Sequence, residues 1–108
     1  MLRFVASLAL VTLLAVCSAD VTIATFNIRL FPEDSTDHAA VAERIAELNA
    51  SIVAVQEIRD APALGRVLDD ASKASGRDYQ LLIGACGGEG TAITTGIVYD
   101  AAAWRVLE

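Results

Sequence analysis

Apolar and polar positions divide the chain into short apolar runs separated by amphipathic stretches. The runs Val21–Ile28 and Ser51–Ile58 are apolar on both faces until their ends, which predicts buried parallel strands covered by helices. The segments Tyr79–Ile83, Ile93–Tyr99 and Trp104–Leu107 are short and rich in β-branched or aromatic residues. They predict three further strands, the last two following a glycine-rich loop.

Two amphipathic stretches predict helices between these strands. The first begins after the capping residue Asp37 and stops at Asn49, a residue that tolerates the left-handed conformation. The second begins after Asp60, has a proline in its first turn and ends at Gly76. The stripes that the helices should bury are Val41, Ile45 and Leu48 in the first and Leu64, Val67, Leu68 and Ala71 in the second.

The order strand, helix, strand predicts a parallel βαβ unit, and the later strands follow with only short connections. We therefore predict an α/β fold in which a mixed sheet starts with this unit and ends in antiparallel strands. Arg29–Thr36 is predicted to be a polar loop between the first strand and the first helix, and Gly84–Gly90 a glycine-rich loop.

Residues 1–19 have the pattern of a secretory signal peptide: one cation, Arg3, then a short apolar stretch, then small residues ending at Ala19. The apolar stretch is too short for a stable membrane span. This pattern predicts a secreted or periplasmic protein. An alternative remains open, because Leu14–Cys17 resembles a bacterial lipobox, in which Cys17 would carry a lipid anchor.

Charge and cysteine content narrow the functional classes. The chain has a net charge of −6, and without residues 1–19 it has seven basic and fourteen acidic side chains, a net charge of −7. Such a balance disfavours a general surface for polyanions, although a bound metal ion can offset negative charge locally. Only Cys86 would remain after cleavage, which excludes an internal disulfide.

Polar residues interrupt both long apolar runs near their carboxyl ends. Asn27 interrupts the first run, and Gln56 and Glu57 interrupt the second. Neighbouring parallel strands end at the same edge of a sheet, so we expect Asn27 and Glu57 to lie side by side. Oxygen ligands from one or two carboxylates, with water and phosphate, suit Mg²⁺. The residues alone leave two readings open: a metal ligand, or a solvated carboxylate at a strand end.

A family resemblance bears on this choice. The string Ala24–Ile28 (ATFNI), followed after one helix by Ile52–Asp60 (IVAVQEIRD), resembles the first two motifs of the endonuclease/exonuclease/phosphatase family. Gly96–Asp100 and Trp104–Leu107 resemble the strand pair that follows in that family. The resemblance extends over essentially all of residues 21–108.

The resemblance implies a metal-dependent hydrolase of phosphate esters. Glu57 matches the family's metal-binding glutamate, and Asn27 matches the asparagine that helps to hold the metal and the phosphate. The implied cofactor is Mg²⁺, with Mn²⁺ or Ca²⁺ as alternatives. Arg59 matches an arginine that contacts DNA in the deoxyribonuclease branch, which favours DNA as the substrate. A surface arginine paired with Asp60 is the other interpretation of Arg59.

The chain also departs from the family pattern. The deoxyribonuclease branch has a tyrosine and a carboxylate where this sequence has Thr91 and Ile93, whereas Gly90–Ile93 resembles other branches. Nucleic acid, phosphoinositides, sphingomyelin and small phosphomonoesters therefore all stay open as substrates. The family's mid-chain histidine or tyrosine, its later Asp-x-Asn pair and its closing Asp-His have no counterpart in this sequence. The one histidine, His38, comes too early and is predicted to be a surface residue at a helix N-terminus.

The resemblance further implies that residues 20–108 are a truncated domain. The expected architecture is an incomplete half of a four-layer α/β sandwich, with helices on one face of the sheet. Its other face would be left uncovered unless a complementing C-terminal half packs against it. By this interpretation the chain is an N-terminal portion that is not active alone. The alternative is a non-catalytic short exported protein that binds a metal, a phosphate ligand or a partner chain.

Overall fold

The computed structural model describes residues 20–84 and 93–107. In this part of the chain, four strands form one mixed sheet with the order β1-β2-β4-β3. The strands β1 and β2 are parallel, and β4 runs antiparallel to both β2 and β3. The predicted α/β fold, which starts with a parallel βαβ unit, is confirmed. The elements are β1 (Ile23–Phe31), α1 (His38–Leu48), β2 (Ile52–Ile58), α2 (Ala61–Ser75), β3 (Tyr79–Ile83) and β4 (Thr94–Asp100).

Both helices begin and end where the sequence predicts. The carboxylate of Asp37 accepts a hydrogen bond from the Ala40 amide at 3.0 Å, and that of Asp60 accepts one from the Ala63 amide at 2.9 Å. Each bond satisfies an amide that the first helical turn leaves without a partner. At the other ends Asn49 and Gly76 are left-handed, with φ of 45° and 76°.

The hydrophobic core lies between the helices and one face of the sheet. Ile45 of α1, Leu64 and Leu68 of α2, and Val55 of β2 are among its fully or almost fully buried members. In a strand, alternate side chains point to opposite faces. Val53 and Val55 of β2 and Val98 of β4 therefore share the face that the helices cover. The expectation of helices on one face holds.

The opposite face of the sheet, here called the open face, has no covering layer among residues 20–84 and 93–107. Several of its apolar side chains are exposed, including Ile23 at 68%, Leu82 at 47% and Ile97 at 40%. A shallow groove of about 290 Å³ lies on it between Gln56 and Leu82. By strand register, the open face comprises Ile23, Thr25, Asn27, Ile52, Ala54, Gln56, Gln80, Leu82, Thr95, Ile97 and Tyr99. No residue of this set is charged.

Two predictions about the strands are wrong. Trp104–Leu107 is not a strand: the chain turns after Asp100, whose carbonyl accepts bonds from the amides of Ala103 and Trp104, and continues without regular structure. The reason is topological, because β4 is paired on both sides and offers no free edge to the returning chain. The other error concerns Arg29–Phe31, predicted to be in a loop but found within β1, where Phe31 is fully buried and pairs with Ile58.

The remaining predictions about elements hold closely or lie outside the described residues. β3 matches the prediction, and β4 is displaced by one residue. Most of the predicted glycine-rich loop, the residues Cys86 and Thr91, and the predicted signal peptide lie outside the described residues. No helix of the described segments is long and apolar enough to cross a membrane.

Candidate metal centre

The structure places Asn27 and Glu57 in contact at the carboxyl end of the parallel strand pair. The Asn27 amide nitrogen Nδ2 donates to Oε1 of Glu57 at 3.1 Å. Asn27 is exposed and Glu57 is half-buried. The register explains the contact, since Asn27 of β1 lies opposite Gln56, the residue before Glu57 on β2.

Two backbone amides of β1 complete the arrangement. The Leu30 amide donates to Oε2 of Glu57 at 3.0 Å, and the Arg29 amide donates to Oδ1 of Asn27 at 2.9 Å. Both carboxylate oxygens of Glu57 are therefore fixed. A carboxylate offers about four lone-pair positions, so each oxygen keeps capacity for a further bond. Asn27 and Glu57 with these two amides are called the corner below.

The corner depends on an irregularity in both strands. The β1–β2 register jumps between Asn27 and Phe31, and Glu57 itself is left-handed, with φ of 62°. Left-handed backbone is uncommon for residues other than glycine and is concentrated at functional sites and turns. The sequence indicates the two side chains but not the amides of Arg29 and Leu30, because every residue except proline has a backbone donor and residue type does not show which one is used.

A second polar pair lies beside the corner on the open face. The Gln56 amide nitrogen donates to Thr25 Oγ1 and to the Ala54 carbonyl oxygen, each at 3.1 Å. Thr25 precedes Asn27 by two residues in β1, so the two side chains lie on the same face of the sheet. Sequence reasoning did not single out Thr25, although its spacing of two from Asn27 was a usable signal.

Arg59 does not touch the corner through any hydrogen bond within the described residues. Its backbone amide donates to the Phe31 carbonyl oxygen at 2.6 Å, and its half-buried side chain has a buried Nε with no partner in the described part of the chain. Nor is it paired with Asp60 there, because that carboxylate caps α2. His38 is exposed at the start of α1, as the sequence predicts. Its ring centroid lies 5.1 Å from that of Phe31, a contact that the sequence does not indicate.

Two groups in residues 20–84 and 93–107 have shifted pKa values, and both lie at the opposite end of the sheet. Burial raises the pKa of the Tyr79 hydroxyl, which donates to the Ala50 carbonyl oxygen at 2.8 Å. Burial also acts to raise the pKa of the Asp100 carboxyl. Hydrogen bonds from the amides of Asp78 and Ala102 and from Arg77 outweigh that effect and hold this pKa below its usual value. Both groups belong to a structural network and not to the corner.

The donor set of the corner fits part of a magnesium site. Its free acceptors are carboxylate and amide oxygens, which hard divalent cations prefer, and Mg²⁺ often takes only one or two carboxylates beside water and phosphate. In residues 20–84 and 93–107 no group of three or more His, Cys, Asp or Glu side chains is arranged to hold a metal. The corner therefore offers one carboxylate ligand, and the remaining ligands would be water, substrate or groups outside these residues.

Comparison with protein-family models finds no match for this chain, and comparison with curated proteins finds none either. The family resemblance therefore stays an expectation that rests on the sequence motifs around Asn27 and Glu57.

Proposed function

We propose that the chain is the N-terminal portion of a secreted or periplasmic, divalent-metal-dependent phosphodiesterase of the endonuclease/exonuclease/phosphatase type. The observation that carries the proposal is the contact between Asn27 and Glu57 at the carboxyl edge of the parallel pair. Ligands of α/β sheets commonly bind at this edge. A half-buried carboxylate held by two donors in a fixed orientation suits a hard cation.

In this proposal Glu57 is the first metal ligand, and Asn27 orients it and supplies a second oxygen. The ion, Mg²⁺ with Mn²⁺ or Ca²⁺ as substitutes, would polarise the phosphoryl group and offset the charge that develops on it. Arg59 is the proposed contact to the substrate phosphate backbone, and DNA is the favoured substrate. The net charge of −7 without residues 1–19 means that affinity for a polyanion would depend on the metal and on these few cations.

Proton transfer needs groups that the corner does not hold. His38 packs on Phe31, and none of the corner hydrogen bonds described above comes from a further titratable side chain. We therefore propose that a complementing C-terminal half supplies these groups and covers the open face. The exposed Ile23, Leu82 and Ile97 support a second covering layer, since packing one sheet on another about 10 Å away would bury them.

The experiment is a hydrolysis assay on the product of the gene read through and beyond the codon for Glu108. With supercoiled DNA and Mg²⁺ we expect nicking that EDTA abolishes. Replacing Glu57 by Gln should slow it by about a hundredfold, the typical effect of losing one electrostatic group in a catalytic site. Glu47→Gln is the matched control, because Glu47 lies exposed on α1, where it forms a surface ion pair with Arg44. Hydrolysis that survives EDTA, or is insensitive to Glu57→Gln, would contradict the proposal.

The second candidate is a non-catalytic exported module that binds a metal, a phosphate ligand or a partner chain. The exposed apolar side chains of the open face favour it, because such a patch is suited to a partner. The same assay separates the two candidates. Metal binding without hydrolysis, both in this chain and in any longer product, would support the module and reject the enzyme.

A further inference from the structure

Glu57 departs from the alternation of its own strand. Val53 and Val55 of β2 are fully buried on the helix-covered face, so strict alternation would turn residue 57 into the same core. Instead Ile58 is fully buried and Glu57 contacts the exposed Asn27. The left-handed conformation of Glu57, with φ of 62°, explains why Ile58, and not residue 57, faces the helix-covered core. It keeps the carboxylate out of the core and gives that place to isoleucine.

Strand β1 also departs from regular pairing at this point. Between the pairs Asn27↔Gln56 and Phe31↔Ile58, three residues of β1 stand opposite the single residue Glu57. Arg29 and Leu30 are both left-handed, with φ of 57° and 48°. The bulge turns the Leu30 amide towards a side chain, and this amide donates to Oε2 of Glu57 at 3.0 Å.

Three left-handed residues that are not glycine are thus concentrated around one carboxylate. Such conformations persist only where the surrounding structure holds them. A charge-assisted bond from a backbone amide is short, directional and about twice as strong as a neutral one, so it is a suitable means of holding them. A hydrogen bond from a backbone amide also brings no further side chain to the carboxylate beside that of Asn27.

We infer that the backbone amide of Leu30 is the positioning group of the corner: with Asn27 Nδ2 it fixes the Glu57 carboxylate in the orientation that binds a divalent cation. The inference rests on the proposed function for the cation, but the hydrogen bond is tested without it. The left-handed conformations of Arg29 and Leu30 then place this amide within hydrogen-bond distance of Glu57 Oε2.

The first test is amide hydrogen exchange by NMR on the natural chain and two variants. Glu57→Gly removes the carboxylate but keeps a residue that adopts φ of 62° without strain. We expect the Leu30 amide to exchange at least tenfold faster in this variant. Glu57→Gln retains an oxygen acceptor, so Leu30 should stay protected in it. Equal exchange of Leu30 in the natural chain and Glu57→Gly would overturn the inference.

The second test removes the amide itself. A backbone ester at Leu30, made by incorporating the α-hydroxy analogue of leucine, keeps the side chain and deletes only the N–H group. We expect Mn²⁺ binding, measured by calorimetry, to weaken about tenfold, as is usual for the loss of one charge-assisted hydrogen bond. An ester at Ala103, whose amide donates to the Asp100 carbonyl at the far end of the sheet, is the control and should leave Mn²⁺ binding unchanged.

The two tests separate the inference from the function on which it rests. If the natural chain binds Mn²⁺ and the Leu30 ester binds it equally well, the positioning role is wrong while the metal corner stands. If Leu30 responds to Glu57→Gly but the natural chain binds no Mn²⁺, the proposed function is overturned, and Leu30 holds Glu57 for a structural reason only.

Discussion

Replacing Asp100 by Ala is expected to lower the free energy of unfolding by about 3 kcal/mol, the lower end of the range for breaking a buried ion pair. Asp100 is 5% exposed and closes a network at the amino end of β2. Its Oδ2 accepts a bond from Arg77 at 3.0 Å, and its Oδ1 accepts bonds from the amides of Asp78 and Ala102. We place the effect at the lower end because the Arg77 side chain is 26% exposed and can regain water.

The network explains why one substitution should have so large an effect. Arg77 also donates to the Asn49 side chain and carbonyl, both at 3.0 Å, so it joins the end of α1 to the end of β4. Losing the carboxylate removes the acceptor of one Arg77 hydrogen bond and of the bonds from the Asp78 and Ala102 amides. Urea unfolding followed by circular dichroism measures the loss. Asp69→Ala, at an exposed position of α2, should change stability by less than about 0.5 kcal/mol. Equal effects at the two positions would contradict the account.

The same network predicts a dependence on pH. The pKa of Asp100 in the folded chain lies below 3.8, the usual value for an aspartate side chain, so its stabilising contribution is present above that pH and is lost as pH falls through the folded pKa. The stability difference between the natural chain and Asp100→Asn should therefore be largest near neutral pH and shrink below about pH 4. A difference that grows on acidification would contradict the assigned direction.

The double substitution of Leu82 and Ile97 by Thr is expected to reduce binding of a hydrophobic dye by more than half and to suppress self-association of the chain. The two residues pair across β3 and β4 on the open face and are 47% and 40% exposed. Uncovered apolar patches of this kind promote association. Threonine keeps the strand preference of the positions.

The measurement combines dye fluorescence with sedimentation velocity. Val106→Thr is the control, because Val106 is 43% exposed but lies outside the sheet, and it should change little. If a complementing half covers the open face, the double variant should also lose at least tenfold in affinity for it. A natural chain that is monomeric and binds no dye would show that the open face needs no cover.

The fold could be predicted from the sequence where local chemistry decides it. Asp37, Asn49, Asp60 and Gly76 specify where the helices begin and end by side-chain capping or by tolerance of left-handed backbone, and the structure agrees. The end of the chain is different. The apolar pattern of Trp104–Leu107 suits a strand, but β4, which precedes it, is already paired on both sides with β2 and β3, and that strand order is not a local property of the sequence.

The corner could be predicted only in part for the same reason. Parallel pairing brings Asn27 close to Glu57, and that follows from the positions of two polar residues in two apolar runs. The left-handed conformations of Arg29, Leu30 and Glu57 do not follow from residue type, because none of the three favours them. They arise when Phe31 and Ile58 are both buried, which forces the intervening residues to bulge.

The most direct test of the account is a titration of the natural chain with Mn²⁺, followed by paramagnetic broadening of its backbone amide signals. The account predicts that the signals of Asn27, Leu30 and Glu57 broaden first, that those near Asp100 stay sharp, and that Glu57→Gln removes the effect. If broadening instead begins at the exposed acids Glu43 and Glu47 of α1, or survives Glu57→Gln unchanged, the corner is not a metal site and the central claim is wrong.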